Sequence, residues 1–182
     1  MRSFLLLLSL VFAAGPAFAV PTYSIEGAPE TVVEGETFIV ALVLHLGENE
    51  SAGHEASVAF STPQLKAIAV LELGAPPYQL NLSPEVRSIS NSVGGLVDQF
   101  EAASLDWEWP SPGGSFVVGE IEFKAGAAGT AYIVPFFHFG GAVLDNSIPT
   151  AFAYTHVEFE DAAVEVLAKP YRNRPGRRWR WR

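Results

Sequence analysis

Ten residues, Leu105 to Gly114, read LDWEWPSPGG and hold the densest chemistry in the chain. In an extended backbone Trp107 and Trp109 share one side, and Asp106 and Glu108 the other. Two such indoles form a flat platform for a sugar ring, and the carboxylates beside them can accept bonds from hydroxyls. The same indoles can instead close one end of a core, because large aromatics are highly buried on average. Tyr78, which follows Pro76 and Pro77, is a second candidate for an exposed aromatic contact and is open to the same alternative.

Asp106 and Glu108 also raise the question of glycoside hydrolysis. That reaction needs two carboxyls about 5–9 Å apart with their pKa values pushed apart. Any i, i+2 pair on a strand meets the spacing, and solvated carboxylates have ordinary pKa values. His45, His54, His138 and His156 are scattered, with no H-E-x-x-H and no close pair to announce zinc. Ser115 lies in GGSFV, which lacks the second glycine of a nucleophile elbow. Phosphate loops, dinucleotide fingerprints and calcium loops are absent, so the sequence implies no cofactor, no metal and no catalytic residue. Two Asn-x-Ser triplets, at Asn49 and Asn81, are too short a pattern to inform.

Charge is distributed unevenly. Residues 20–168 hold 20 carboxylates against Lys66, Arg87 and Lys124, which leaves −17; residues 169–182 add +7. So acidic a body repels phosphate backbones, which excludes nucleic acid as its partner. The last stretch reads RPGRRWRWR, and Arg177, Arg178, Trp179, Arg180, Trp181 and Arg182 suit an anionic surface, phospholipid or acidic polysaccharide. It can also fold back on its own acidic body or a neighbour's, or remain a solvated extension. With no alternation, two prolines and a glycine, residues 169–182 read as a disordered tail.

At the other end, Arg2, the apolar run Phe4 to Ala14 and Ala17-Phe18-Ala19 match a secretory signal, with cleavage expected after Ala19. The run is too short to span a membrane. Removing 19 of 182 residues leaves 163, enough for one domain with a core and an extracellular or periplasmic location. The chain has no cysteine, which excludes thiol catalysis, cysteine-ligated metals and a lipid-modified N-terminal cysteine.

The elements that must position these residues follow a period of two. Thr37 to Leu46 places Phe38, Val40, Leu42, Leu44 and Leu46 on one side. Glu55 to Ser61 and Phe116 to Ala125 alternate likewise, and Thr130 to Phe139, Ala151 to Phe159 and Ala162 to Leu167 are β-branched or aromatic runs. Leu96 to Ala103 reads equally as a weak helix or a strand. Pro135 predicts an edge or a bulge in its strand. Gly and Pro clusters punctuate the rest. The pattern predicts an all-β fold, an immunoglobulin-like or jelly-roll β-sandwich of about nine strands over residues 20–168.

Three stretches carry a family resemblance. TVVEGETFIVALVL (Thr31 to Leu44) is similar to the opening of cohesin modules, a Gly turn followed by a long apolar strand. GHEASVAFSTPQLKAIAV (Gly53 to Val70) resembles the next hallmark, a strand stopped by a proline turn with a leucine starting the next strand. GEIEFKAGAAGTAYIV (Gly119 to Val134) resembles a third, a strand with Phe meeting a Gly-rich turn. Where cohesins commonly carry Asp before the proline, this chain has Ser61-Thr62. The resemblance implies a secreted, non-catalytic binding module that recognises a dockerin-type protein module or an extracellular polysaccharide. The alternatives are an envelope or matrix protein attached through its Trp/Arg tail, and a glycan hydrolase.

Overall fold

The computed structural model describes residues 20–71, 78, 80–82, 89–104, 113–137, 143–145, 152–153 and 157–170. Its strands are β1 (Thr22–Glu26), β2 (Thr31–Val33), β3 (Thr37–Gly47), β4 (Ser51–Phe60), β5 (Leu65–Leu71), β6 (Leu80–Asn81), β7 (Ile89–Ser90), β8 (Gly95–Ala103), β9 (Gly114–Ala125), β10 (Gly129–Phe136), β11 (Val143–Asp145), β12 (Phe152–Ala153), β13 (Glu158–Glu160) and β14 (Ala162–Leu167). There is no helix among the described residues. The fold is an all-β sandwich of two sheets.

One sheet has five strands in the order β13-β1-β3-β9-β5; the other is built on β12-β11-β4-β10-β14-β2, with β8 against β4 and β6 and β7 against β8. Alternation explains the two-layer arrangement. Val40, Leu42, Leu44 and Leu46 of β3 are buried, as are Ala56, Val58 and Phe60 of β4 and Ile121, Phe123 and Ala125 of β9. These rows meet Val97, Phe100, Ile133, Val164 and Val166 in one core. Each fully buried aliphatic or aromatic side chain contributes roughly 1.5–3 kcal/mol relative to exposure. Phe123 anchors the middle, stacked on Phe38 and edge-on to Phe60.

The described strands outnumber the nine expected because short strands, β1, β2, β6, β7 and β11, add to the longer runs and because one run divides. Ala151 to Phe159 supplies β12 to one sheet and β13 to the other. Leu96 to Ala103 is a strand, β8, paired along β4. Pro135 sits in β10 beyond the end of the β14 ladder, where pairing with β4 alone continues. Its missing N–H therefore leaves no ladder incomplete on that side. The Gly126–Gly129 turn carries the chain from β9 in one sheet to β10 in the other, so it bridges the layers and does not form a hairpin. The parallel pairs, β1 with β13 and β2 with β14, join the first strand of each sheet to strands late in the chain.

Ser61 and Thr62 both bond to backbone, as hydroxyls before a turn can. They reach other segments: Ser61 Oγ accepts from the Tyr132 N–H at 3.0 Å, and Thr62 Oγ1 donates to Ser92 O at 3.1 Å.

Candidate functional site

Asp106, Glu108, Trp107 and Trp109 lie outside the described residues, as do Arg177, Arg178, Trp179, Arg180, Trp181 and Arg182. The exposure expected of Tyr78 is corrected. Its side chain is 5 % exposed, its ring centroid lies 5.1 Å from that of His54, and its hydroxyl donates to Ser51 Oγ at 3.0 Å. The two prolines before it suggest an exposed turn, but a phenol with a buried polar partner gains more by filling the end of the core. Its ring offers no open face to a sugar.

His54 and Tyr23 complete that end. Tyr23 is fully buried, packs edge-on to His54 and stacks on Phe159 at 5.8 Å. Its hydroxyl donates to the Glu55 carbonyl at 3.3 Å. Burial, then the neighbouring Tyr78 and Glu55, push its phenol well above the ordinary value. His54 Nδ1 is buried without a hydrogen-bond partner. Burial lowers the imidazole from 6.5 to about 4, so His54 is neutral at physiological pH. This cluster is packing, and it offers no reacting group to solvent.

His45 has a different setting. On the outward side of the five-stranded sheet its Nε2 lies 2.8 Å from Ser24 Oγ and 3.4 Å from Glu26 Oε1, and its Nδ1 lies 2.8 Å from Ser115 Oγ. Strand register produces the row: His45 stands opposite Thr22 on β1 and Ser115 on β9. Each imidazole nitrogen meets a hydroxyl that can donate or accept, so the row ties three strands together in either tautomer. Asn49 is likewise consumed by the fold: it is buried and its amide donates to Leu46 O at 2.7 Å. No three His, Asp or Glu gather as around a metal ion among the described residues.

The surface best built for recognition is the outward side of the nine-stranded sheet. Because Ala56, Val58 and Phe60 point inward, Glu55, Ser57 and Ala59 point outward. Register places Glu55 opposite Glu101, Ala59 opposite Leu96 on β8, and Ala59 opposite Val134 on β10. Thr130, Tyr132 and Val134 share this side with Glu165 of β14, which accepts from Thr130 Oγ1 at 2.9 Å. Asp98 accepts from the buried Ser57 hydroxyl at 2.6 Å. Tyr132 is 50 % and Val134 36 % exposed. They border a shallow depression of about 380 Å³ lined also by Ala59, Ser61, Thr62 and Gln64. The face thus presents an apolar, aromatic centre flanked by Glu55, Asp98, Glu101 and Glu165, and β4, β8, β10 and β14 contain no Lys or Arg.

The opposite face is mixed. Ile39, Ile68 and Val117 are exposed there, but Lys66 and Lys124 accompany Glu120 and Glu122, with Lys66 directly opposite Lys124. A face of one sign selects partners by charge more sharply than a mixed one. Sequence reasoning missed the acidic face because it depends on register between distant strands. The available signal was Glu55, Glu101 and Glu165 at polar positions of otherwise apolar alternating runs.

Neither a family model nor a curated protein sequence matches the chain. Solved structures do match. The chain is similar to the seventh ScaB type I cohesin from Pseudobacteroides cellulosolvens, at 15 % identity and a TM-score of 0.58, over 82 % of this chain and 94 % of that one. A type II cohesin domain from the cellulosome of Acetivibrio cellulolyticus matches at 13 % identity and a TM-score of 0.58, over 80 % and 95 %. A type I cohesin–dockerin complex from Clostridium thermocellum matches at 12 % identity and 0.54, over 81 % and 95 %. The fold of this chain is therefore cohesin-like.

Proposed function

We propose that this chain is an exported, non-catalytic binding module, and that it holds a dockerin-type protein module on the outward face of its nine-stranded sheet. The observation that carries this reading is the face on which Tyr132 and Val134 stand exposed beside a depression, with Glu55, Asp98, Glu101 and Glu165 on the same side of the sheet and no Lys or Arg among the described residues of its strands. The cohesin-like fold supports it, since matching structures include cohesins in complex with dockerins. Export rests on the signal-like residues 1–19. The chemistry of the face specifies a partner with an apolar or aromatic anchor set among Lys and Arg. Exposed aromatics supply much of such affinity, and the carboxylates steer approach.

Titration calorimetry of the full chain against a panel of dockerin modules tests this. A module with a basic surface is expected to bind, and Tyr132→Ala with Glu165→Lys to weaken it by at least about tenfold. Both residues are exposed, so circular dichroism should not change. Unchanged affinity in the variant overturns the assignment of the face. Retention on polysaccharide, lost in Trp107→Ala with Trp109→Ala, would assign binding to the LDWEWPSPGG loop instead.

A further inference from the structure

We infer that two copies of this chain associate face to face through the outward side of the five-stranded sheet, about a two-fold axis, with the nine-stranded face of each copy turned away from the contact. The dimer does not depend on the docking reading given above; its consequence, the presentation of two docking faces in opposite directions, does rest on that reading.

Charge singles out this side of the molecule. Two acidic bodies repel one another, and across residues 20–168 the cations that oppose this are Lys66, Arg87 and Lys124. Two of those three stand side by side, because register places Lys66 of β5 directly opposite Lys124 of β9. Like charges so placed weaken strand pairing unless something neutralises them. Neither lysine has an ion-pair partner among the described residues, and neither do Glu120 and Glu122 farther along β9.

These charges lie in ordered rows. Lys66 and Lys124 form the first, Ile39 and Glu122 the second, and Ala41 and Glu120 the third. Ile68 sits in the bulge between Ala67 and Ala69, level with the first two rows, and it and Ile39 are both exposed. A two-fold axis lying across the strands near the second row reverses the order of rows in the opposing copy. Lys66 and Lys124 of each copy then lie over Glu120 and Glu122 of the other, and Ile39 and Ile68 close on their own counterparts. Every contact is made twice, as an isologous interface requires. The nine-stranded face cannot complement itself in this way, because its strands hold no Lys or Arg.

The patch is small. Strands about 4.8 Å apart, with a rise of about 3.4 Å per residue, give β1, β3, β9 and β5 a flat area of roughly 300–400 Å² per copy. A standard interface buries about 800 Å² per partner, so this association is weak and belongs to high local concentration.

Sedimentation velocity of the full chain tests it. In salt near 10 mM, where the Debye length is about 30 Å, the weight-average mass should climb towards that of a dimer as the protein approaches about 1 mM. It should fall back in salt near 1 M, where that length is about 3 Å. Lys66→Glu with Lys124→Glu makes the four charged positions all acidic, and Glu120→Lys with Glu122→Lys makes them all basic. Each double variant alone should stay monomeric with an unchanged circular dichroism spectrum, since none of the four side chains is buried. An equimolar mixture of the two should associate, because opposite charges then meet. A parent that stays monomeric throughout overturns the proposal. So do reversals that leave association unchanged, and a mixture that stays monomeric. Calorimetry against a basic dockerin module separates this inference from the docking reading. The lysine-reversed variant should bind such a module with the parent's affinity per chain. A module that binds a parent which never dimerises overturns the dimer alone, and a dimer that binds no module overturns the docking reading alone. A module that binds the parent but not the lysine-reversed variant would place docking on the five-stranded sheet and overturn both.

Discussion

Glu55 and Glu101 stand directly opposite one another across the β4–β8 ladder, both half-buried on the outward side of the nine-stranded sheet. Like charges placed so oppose sheet pairing.

Glu101→Gln is therefore expected to stabilise the domain by a few tenths to about 1 kcal/mol, read as a raised melting temperature. The same change should weaken binding of a basic module. A variant that melts lower and binds as before would show that the carboxylate serves the fold.

His54 sets an acid limit on stability. Its folded value of about 4 lies below the ordinary 6.5, so between these values the unfolded chain binds more protons than the folded one. Stability is complete above about pH 6.5, falls as the pH drops towards 4, and loses up to about 3 kcal/mol across that window. His54→Phe keeps a ring against Tyr78 and Tyr23 and removes the titrating group. Urea titrations at pH 7 and pH 4.5 should show the difference in unfolding free energy between parent and variant widen in favour of the variant at the lower pH. Parallel pH dependence in the two proteins would contradict the burial of a neutral imidazole.

Gly126 tests the bridge between the layers. Its N–H donates to Gln64 O at 2.7 Å, and Ala127 N–H donates to Pro63 O at 3.1 Å. A Cβ at position 126 would collide with the Pro63 carbonyl oxygen, which is backbone and cannot rotate away. Gly126→Ala should cost on the order of 1–3 kcal/mol, seen as a lower midpoint in thermal unfolding. An unchanged midpoint would mean that the turn shifts freely.

The sequence made the layers legible because strand periodicity is local. Ala56 to Phe60 and Ile121 to Ala125 declare which side is buried without reference to any partner. β1 was hidden: TYSIE has only Tyr23 and Ile25 as apolar residues, and Ser24 is buried by its bond to His45. Tyr78 misled for the reverse reason, since its prolines speak of a turn and its partner Ser51 is far away in sequence. The acidic face was illegible because no single strand contains it: β4, β8, β10 and β14 each supply a part.

Thr22 waits for Glu158 and Thr31 for Glu165, so the opening strand of each sheet is completed by residues almost a whole domain away. A chain delivered from its N-terminus cannot finish either layer until the Val157–Leu167 stretch has emerged, and contacts this distant carry a high loop-closure cost. Completion of the sandwich is thus a late event in biosynthesis. Every shorter nascent form leaves the main-chain edges of β1 and β2 without their parallel neighbours, which makes this interval the one in which a holding chaperone would matter most.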